Sequence, residues 1–344
     1  MKTMTCDFLI VGAGLSGCTL GVLLARAGAD VLALELLDAK EKDKPCAGGI
    51  DRNLRSLLEE TFGRGAWDDL HPAHIDGMRF RMDGHELRGG SRFCALPRKQ
   101  LDDYALNLYT EAGGRLMDRV SVKAIDAAKG EAACECLRTG EPFTVQFRTV
   151  VGADGAASCA RRLITGKKAS AAPAIEASVP KLFDELLLEH RYGEVGYAWY
   201  IPQRESATVG AWFRGGSVAL CREALGSLLR ELSISVEPKA IRGAFIPSGD
   251  DVLLRAGENA YFVGDAAGLI HATLGGGIHY AIESAQLLAS ALTGGQDYGR
   301  AMRSIAEDVA MVARNAEKIQ FLTNFRILKK GLPASSLTRR WGRP

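Results

Sequence analysis

What this chain lacks narrows its function before any motif is read. No apolar run approaches the roughly 20 residues that a membrane span needs. The opening Met1-Lys-Thr-Met-Thr-Cys-Asp7 carries no apolar stretch either, so a cytosolic protein is expected. The eight cysteines, at 6, 18, 46, 94, 134, 136, 159 and 221, include no C-x-x-C pair, and no histidine joins them at metal-ligand spacing. No metal is expected, and most of these thiols read as small buried hydrophobes, with Cys46 set apart below. Charge of one sign is missing as well. A net charge of +2 creates no field for a polyanion, so no nucleic-acid partner is expected. There is no tandem repeat and no low-complexity tract, and only one nucleotide-binding fingerprint occurs in the 344 residues. With 47% hydrophobic and 24% charged residues, the composition is that of an ordinary globular protein with room for two joined domains.

That fingerprint is Asp7-Phe-Leu-Ile-Val-Gly12-Ala-Gly14-Leu-Ser16-Gly17, followed by an apolar run to Ala27 and the strand-like Asp30-Val-Leu-Ala-Leu-Glu35. It reads as strand, tight turn, helix, strand. Gly12 allows the sharp turn, Gly14 lets a pyrophosphate approach the backbone, and Gly17 lets the helix sit close on the strand, its N-terminal N–H groups free for phosphate. Glu35 lies 18 residues past Gly17. A carboxylate there accepts hydrogen bonds from both ribose hydroxyls and repels a 2′-phosphate. A bound dinucleotide is the expectation.

The remaining pattern predicts an α/β (α+β) chain in which a Rossmann-like domain (residues 1–70, 98–162 and 249–300) carries an inserted antiparallel β-sheet substrate domain (71–97 and 163–248). C-terminal helices and a basic tail (301–344) complete it. Pro45-Cys46-Ala47-Gly-Gly49 reads as backbone lying against something flat, or as a plain glycine turn. Arg98 opens a helix, where its fork can meet a phosphate or ribose or simply stay solvated. Val120 falls in a strand-like run, and Asp154 follows a buried strand between two glycines, ahead of Ser158 and Arg161-Arg162. Two alternating segments, Glu194 to Pro202 and Ser206 to Phe213, place Tyr197, Trp199 and Trp212 where one aromatic face can meet an apolar ligand. A further buried strand ends at Gly264-Asp265, and Gly275-Gly-Gly277-Ile278 leads into a second helix N-terminus suited to partial negative charge. The basic end, Lys329-Lys330 with Arg339, Arg340 and Arg343, gives modest attraction to anionic lipid and hence a peripheral membrane contact.

Three of these features carry a family resemblance. Gly12 to Gly17, the strand end Gly152-Ala-Asp154-Gly155 and the strand end Gly264-Asp265-Ala-Ala-Gly268 occur in order over about 300 residues, and together resemble the FAD proteins related to aromatic hydroxylases. Within that class the chain is similar to the geranylgeranyl reductase family, including digeranylgeranylglycerophospholipid reductases. The similarity rests on Lys44-Pro45-Cys46-Ala-Gly-Gly49, on Tyr197-x-Trp199-x-x-Pro202, and on Gly275-Gly-Gly277-Ile278. Ile201 and Gly276 depart from that family's usual Phe and Glu, and its longer C-terminal domain is largely missing, which argues against a substrate as large as an archaeal membrane lipid.

The resemblance implies FAD, with the N-terminal glycines and Glu35 on its ADP half and Asp265 near the ribityl and pyrophosphate. Ser16, Glu35, Cys46, Ala47, Gly49, Arg98, Val120, Asp265, Gly277 and Ile278 are the implied contacts, with Asp154 beside them. It also implies hydride transfer from reduced flavin to a C=C bond of an isoprenoid or other apolar substrate. The electron donor is open between NAD(P)H docking transiently and a redox partner protein such as ferredoxin. Cys46 reads as a proton donor, a redox partner or a wall residue; His271 and His279 read as proton donors or as structural rings. Two other readings stand beside the reductase. One is a flavin monooxygenase: Gly196 to Pro202 resembles the halogenases' W-x-W-x-I-P, although residues 71–97 contain no lysine to handle hypohalous acid. The other is an electron-relay flavoprotein.

Overall fold

The computed structural model describes residues 2–328, so the basic end at 329–344 lies outside the described residues. Strand β1 (Lys2–Val11) passes through the glycine turn into helix α1 (Leu15–Arg26) and strand β2 (Val31–Leu34). After β3 (Gly49–Asp51) come helices α2 (Leu54–Phe62) and α3 (Ala66–Leu70), then strands β4 (Ala73–His74), β5 (Gly77–Met82), β6 (His85–Gly90) and β7 (Phe93–Ala95). Helix α4 (Arg98–Glu111) leads to β8 (Arg115–Met117), β9 (Val120–Asp126), β10 (Glu131–Cys136), β11 (Pro142–Gly152) and helix α5 (Cys159–Thr165). Strands β12 (Ala171–Pro180), β13 (Glu185–Glu189), β14 (Gly196–Pro202) and β15 (Ser206–Phe213) precede helix α6 (Val218–Glu231) and β16 (Arg242–Pro247). The chain closes with β17 (Ala260–Phe262) and helices α7 (Ile278–Gly294), α8 (Tyr298–Ala301), α9 (Arg303–Arg314) and α10 (Ala316–Leu328).

One seven-stranded sheet runs β8-β2-β1-β11-β10-β9, with β17 also paired to β11. Its parallel strands are covered on both faces, which is why β1 reads as the unbroken apolar run Phe8-Leu9-Ile10-Val11 rather than an alternation. Phe8 and Ile10 pack toward α1, α4 and α7, while Leu9 and Val11 face Val145, Val150 and Val120 on the opposite side. The carboxyl ends of β1, β11 and β17 come together, since β11 pairs in parallel with both of the others. A crevice at such an edge is where open α/β sheets bind ligands.

The second seven-stranded sheet runs β16-β12-β15-β14-β13-β5-β6. Here period-two alternation is strict. Ile175, Ala177, Tyr200, Val209, Ala211 and Phe213 pack under the apolar side of α6, and Ala174, Trp199, Ile201 and Trp212 look the other way, toward the first sheet. The sequence predicts an antiparallel excursion over 71–97, and the structure differs in two respects. Strand β5 joins the second sheet through a parallel pair with β13, Glu185 opposite Gly77, and β7 leaves it to pair with β3 and β4 in a small third sheet. Strands β5 and β13 are separated by a hundred residues of intervening chain, so no hairpin constrains their direction.

Among the described residues no helix is long and apolar enough to cross a membrane, and no group of His, Cys, Asp or Glu is arranged to hold a metal ion. All eight cysteines are free thiols, five of them buried. Cys6, Cys18, Cys134 and Cys159 are pushed up to about 12 by burial, which keeps those thiols protonated and inert.

Candidate functional site

With the exception of Gly17, every site residue named from the sequence lines one cavity of about 2410 Å³ between the two large sheets. Ordinary small-ligand sites measure roughly 300–1,000 Å³, so this space accommodates a dinucleotide together with a second molecule. The glycines divide their roles as the turn requires. Gly12 has φ +101°, and a Cβ on Gly17 would lie 2.0 Å from the Gly12 carbonyl oxygen, so Gly17 is demanded by the protein's own backbone. A Cβ on Gly14 would meet nothing within 4 Å. Gly14 therefore borders open cavity at the start of α1, where no side chain caps the helix and the first turn holds no acid. The N–H groups of Leu15, Ser16 and Gly17 have no intrahelical partner there and form a ready anion site.

Around that turn the charges are held in place. Glu35 accepts from the Ala13 amide (3.0 Å) and the Leu37 amide (3.1 Å), and pairs with Lys42 at 2.8 Å. Lys42 also donates to the Ala13 carbonyl at 2.7 Å. Val120 is buried against this end, its amide donating to the Glu35 carbonyl at 2.9 Å. Arg98 pairs with Asp102 at 2.9 Å, both nearly buried. Burial opposes the Arg98 charge, but Asp102, with help from Cys46 and Asp265, lifts it above its ordinary value, so a permanent cation stands on the wall. Lys44 reaches Asp265 at 2.8 Å. The uncapped N-terminus of α1 opens on this space and suits a diphosphate, while Lys42, Lys44 and Arg98 around it are each balanced by a carboxylate. Asp154 faces the same cavity, yet its carboxylate takes the Ser158 hydroxyl at 2.5 Å and the Ala160 amide at 3.0 Å, so it also anchors the start of α5.

The segment from Cys46 to Gly49 lies along the inner face of the second sheet. The Cys46 amide donates to Glu176 on β12 at 3.0 Å, and the Ala47 carbonyl accepts from Gln203 and from Thr208 on β15, each at 3.1 Å. On the opposite side the Leu96 amide donates to the Gly48 carbonyl at 2.8 Å. Beyond this loop the wall turns aromatic and apolar. Tyr197, Trp199 and Trp212 line it, the Tyr197 hydroxyl donates to the Leu274 carbonyl, and the indole N–H groups of both tryptophans are buried with no partner among the described residues. Gly277 starts α7 as a second helix N-terminus without a side-chain cap, with Ile278 beside it on the cavity wall.

His271 is buried in the turn before α7, where its Nδ1 accepts from the Leu274 amide at 3.2 Å. Burial holds this ring down to about 4, so at neutral pH it is uncharged, without the spare proton of an imidazolium. His279 is half exposed and sits 3.3 Å from Glu283. Several residues of the site escape a sequence reading. Lys42 is hidden in a charged segment that looks solvated, and Lys44, although it opens the motif ending at Gly49, is given no site role by the sequence. Glu176 had a usable signal, as the lone acid in the apolar run Ala171-Ala-Pro-Ala-Ile-Glu176-Ala. His190, Gln320 and Asn324 form a buried polar cluster at the far end, Gln320 Nε2 lying 2.8 Å from His190 Nδ1 and donating to Asn324 at 2.9 Å; nothing local announces it.

Residues 5–230 match the family model described as FAD binding domain. The chain belongs to that FAD-binding family. Its curated relatives include the menaquinone reductase of Mycolicibacterium smegmatis, 27% identical over 343 residues, spanning 88% of this chain and 80% of the relative. The geranylgeranyl diphosphate reductase of Rhodobacter capsulatus is 26% identical over 310 residues, spanning 84% and 75%. Among solved structures, a geranylgeranyl bacteriochlorophyll reductase-like protein from Thermoplasma acidophilum superposes with a TM-score of 0.72 at 18% identity, covering 98% of this chain and 90% of that one. The flavin-dependent monooxygenase PieE shares the fold with a TM-score of 0.68 at 18% identity, covering 95% and 65%. FAD is the cofactor, and the chain is an FAD-dependent oxidoreductase. The residues present fit that group: the bare space at Gly14 and the unpaired amides of α1 match a diphosphate.

Proposed function

We propose that this flavoprotein reduces a C=C bond of an isoprenoid or similarly apolar substrate. When bound, reduced FAD supplies the hydride that such a reduction needs. In this reading Gly12, Gly14, Ser16, Gly17, Glu35, Arg98, Val120, Asp154 and Asp265 hold the dinucleotide half. Cys46, Ala47, Gly49, Gly277 and Ile278 form the seat of the ring system. Tyr197, Trp199 and Trp212 are the substrate wall. The observation that carries the reading is the character of the cavity beyond Cys46, where Ala174, Leu186, Leu188, Ile201 and Trp212 leave a broad apolar surface with few hydrogen-bonding groups. Such a wall excludes water and orients a hydrocarbon chain, and it offers little to a polar aromatic acid. The names of the curated relatives, which are menaquinone and geranylgeranyl reductases, support the same substrate class.

The deciding experiment is anaerobic incubation of the reduced protein with polyprenyl alcohols and a menaquinone, reading product mass. A gain of two hydrogens that survives reoxidation of quinol to quinone in air is the expected result. Products that carry oxygen when air is admitted, without saturation, would move the assignment to a hydroxylase. Flavin that accepts electrons and leaves both substrates untouched would move it to a relay. Running the assay with NADH, NADPH and reduced ferredoxin identifies the donor, and adding anionic vesicles tests for peripheral membrane contact.

A further inference from the structure

We propose that Glu176 is the acid that protonates the second carbon of the double bond. The proposal rests on the reduction described above and names the residue that completes it. Strand β12 alternates: Ile175, Ala177 and Val179 pack under α6, while Ala172 and Ala174 face the other way, and Ala174 and Glu176 line the cavity. It is 4% exposed. Its neighbours across the sheet are Arg242 on β16 and Gly210 on β15, and Gly210 in turn faces Trp199 on β14. A Cβ on Gly210 would stand 2.2 Å from Trp199 Cζ2, so the indole lies over the bare backbone of β15, in the row to which Glu176 belongs. The carboxyl is therefore set between the substrate wall and the Cys46 loop, whose amide it accepts at 3.0 Å.

Five other acids on the cavity wall are held by cations or by helix amides. Glu35 is paired with Lys42, Asp102 with Arg98, Asp265 with Lys44, Asp51 with Arg92, and Asp154 with the start of α5. Glu176 differs. Both of its donors, the Cys46 amide and Arg242 Nη2 at 3.2 Å, meet Oε1, and Oε2 accepts from no described residue. The charged groups facing it are Arg242 and, behind Arg242, Asp43. Burial raises this carboxyl above its ordinary range; the Cys46 amide and Arg242 oppose that, Asp43 adds to it, and the net direction is upward. His271, neutral and accepting at Nδ1, does not compete for the role.

The step balances. One C–H bond forms from the hydride supplied by reduced flavin, which is left oxidised. The π pair of the C=C bond takes the Glu176 proton to form the second C–H bond. The resulting carboxylate is stabilised by the Cys46 amide and Arg242 until water returns a proton.

The test uses the FAD-loaded full chain, dithionite as reductant and a polyprenyl alcohol as substrate, comparing wild type with Glu176→Gln and Glu176→Asp. Glu176→Gln keeps an acceptor for the Cys46 amide, so flavin affinity, read by fluorescence, is expected to change less than about twofold. Turnover should fall about 10²-fold with little change in KM. In the wild type the rate falls as pH rises and the acid deprotonates; that limb should vanish in Glu176→Gln and return in part, displaced, in Glu176→Asp. Infrared titration of the protein without substrate should show a protonated-carboxyl band surviving above the ordinary glutamate range and missing from Glu176→Gln. Wild-type turnover matched by Glu176→Gln with the same pH profile, or no such band, overturns the assignment of Glu176 alone. A wild type that saturates nothing overturns the reductase reading and this proposal together.

Discussion

Gly14 and Gly17 stand three residues apart in one fingerprint, yet opposite demands hold them as glycine. Gly17 is fixed by a carbonyl 2.0 Å from where its Cβ would be, whereas a Cβ on Gly14 would meet nothing within 4 Å, and in the proposed reading only the ligand needs that space. Gly14→Ala is therefore expected to fold with an unchanged urea midpoint and to lose FAD affinity at least about tenfold. Gly17→Ala should lower the midpoint itself, and a colourless but fully stable Gly17→Ala would contradict the packing. The close packing at Gly17 was legible in sequence because the turn is local. Lys42 and Lys44 were not, since their partners Ala13 and Asp265 are reached only through the fold. A second residue-level expectation concerns pH. His190 and His271 are both lowered from 6.5 to about 4 by burial, so in this window the unfolded chain binds protons that the native protein refuses. Stability present above pH 6.5 is thus lost as pH falls toward 4, by about 3 kcal/mol for each ring. Urea midpoints at several pH values should show that slope, and His190→Asn should flatten it by the share of one ring.

Helix α10 illustrates what an element adds that its sequence does not announce. The 300–330 region reads plainly as helical, but that it closes the far end of the cavity depends on Gln320, whose Oε1 accepts from the Gly196 amide at 3.4 Å and whose Nε2 serves His190 and Asn324. Those three contacts join residues up to 130 positions apart, beyond the reach of any periodicity. Gln320→Leu leaves buried polar groups unsatisfied and should cost about 2 kcal/mol in a denaturation series. Flavin affinity should hold, because α10 packs on β5 and β6, away from the glycine turn. A loss of flavin in this variant would show that the two ends of the cavity are less separate than drawn. The second sheet tells the same story in reverse. Its alternation exposed Tyr197, Trp199 and Trp212 as a common face, while the parallel joint between β5 and β13 stayed hidden because side-chain period carries no information about strand direction.

In the molecule as a whole, three strand ends far apart in sequence, Val11, Gly152 and Phe262, are drawn to one edge of the first sheet, with the second sheet set opposite. The order of the three glycine-rich segments made that convergence readable; the depth and apolar character of the space between the sheets required side chains in place. The loop from Cys46 to Gly49 lies between the two. It is bonded by Glu176, Gln203 and Thr208 on one side and by Leu96 on the other, and it forms part of the boundary of both compartments. A molecule that steadies this strip from either side lowers the ordering cost for the other. Thermodynamic reciprocity then requires the hydrocarbon to tighten the flavin by the same factor as the flavin tightens the hydrocarbon, about 1.4 kcal/mol for each tenfold. Titrating each ligand in the presence and absence of its companion should return two equal ratios above one.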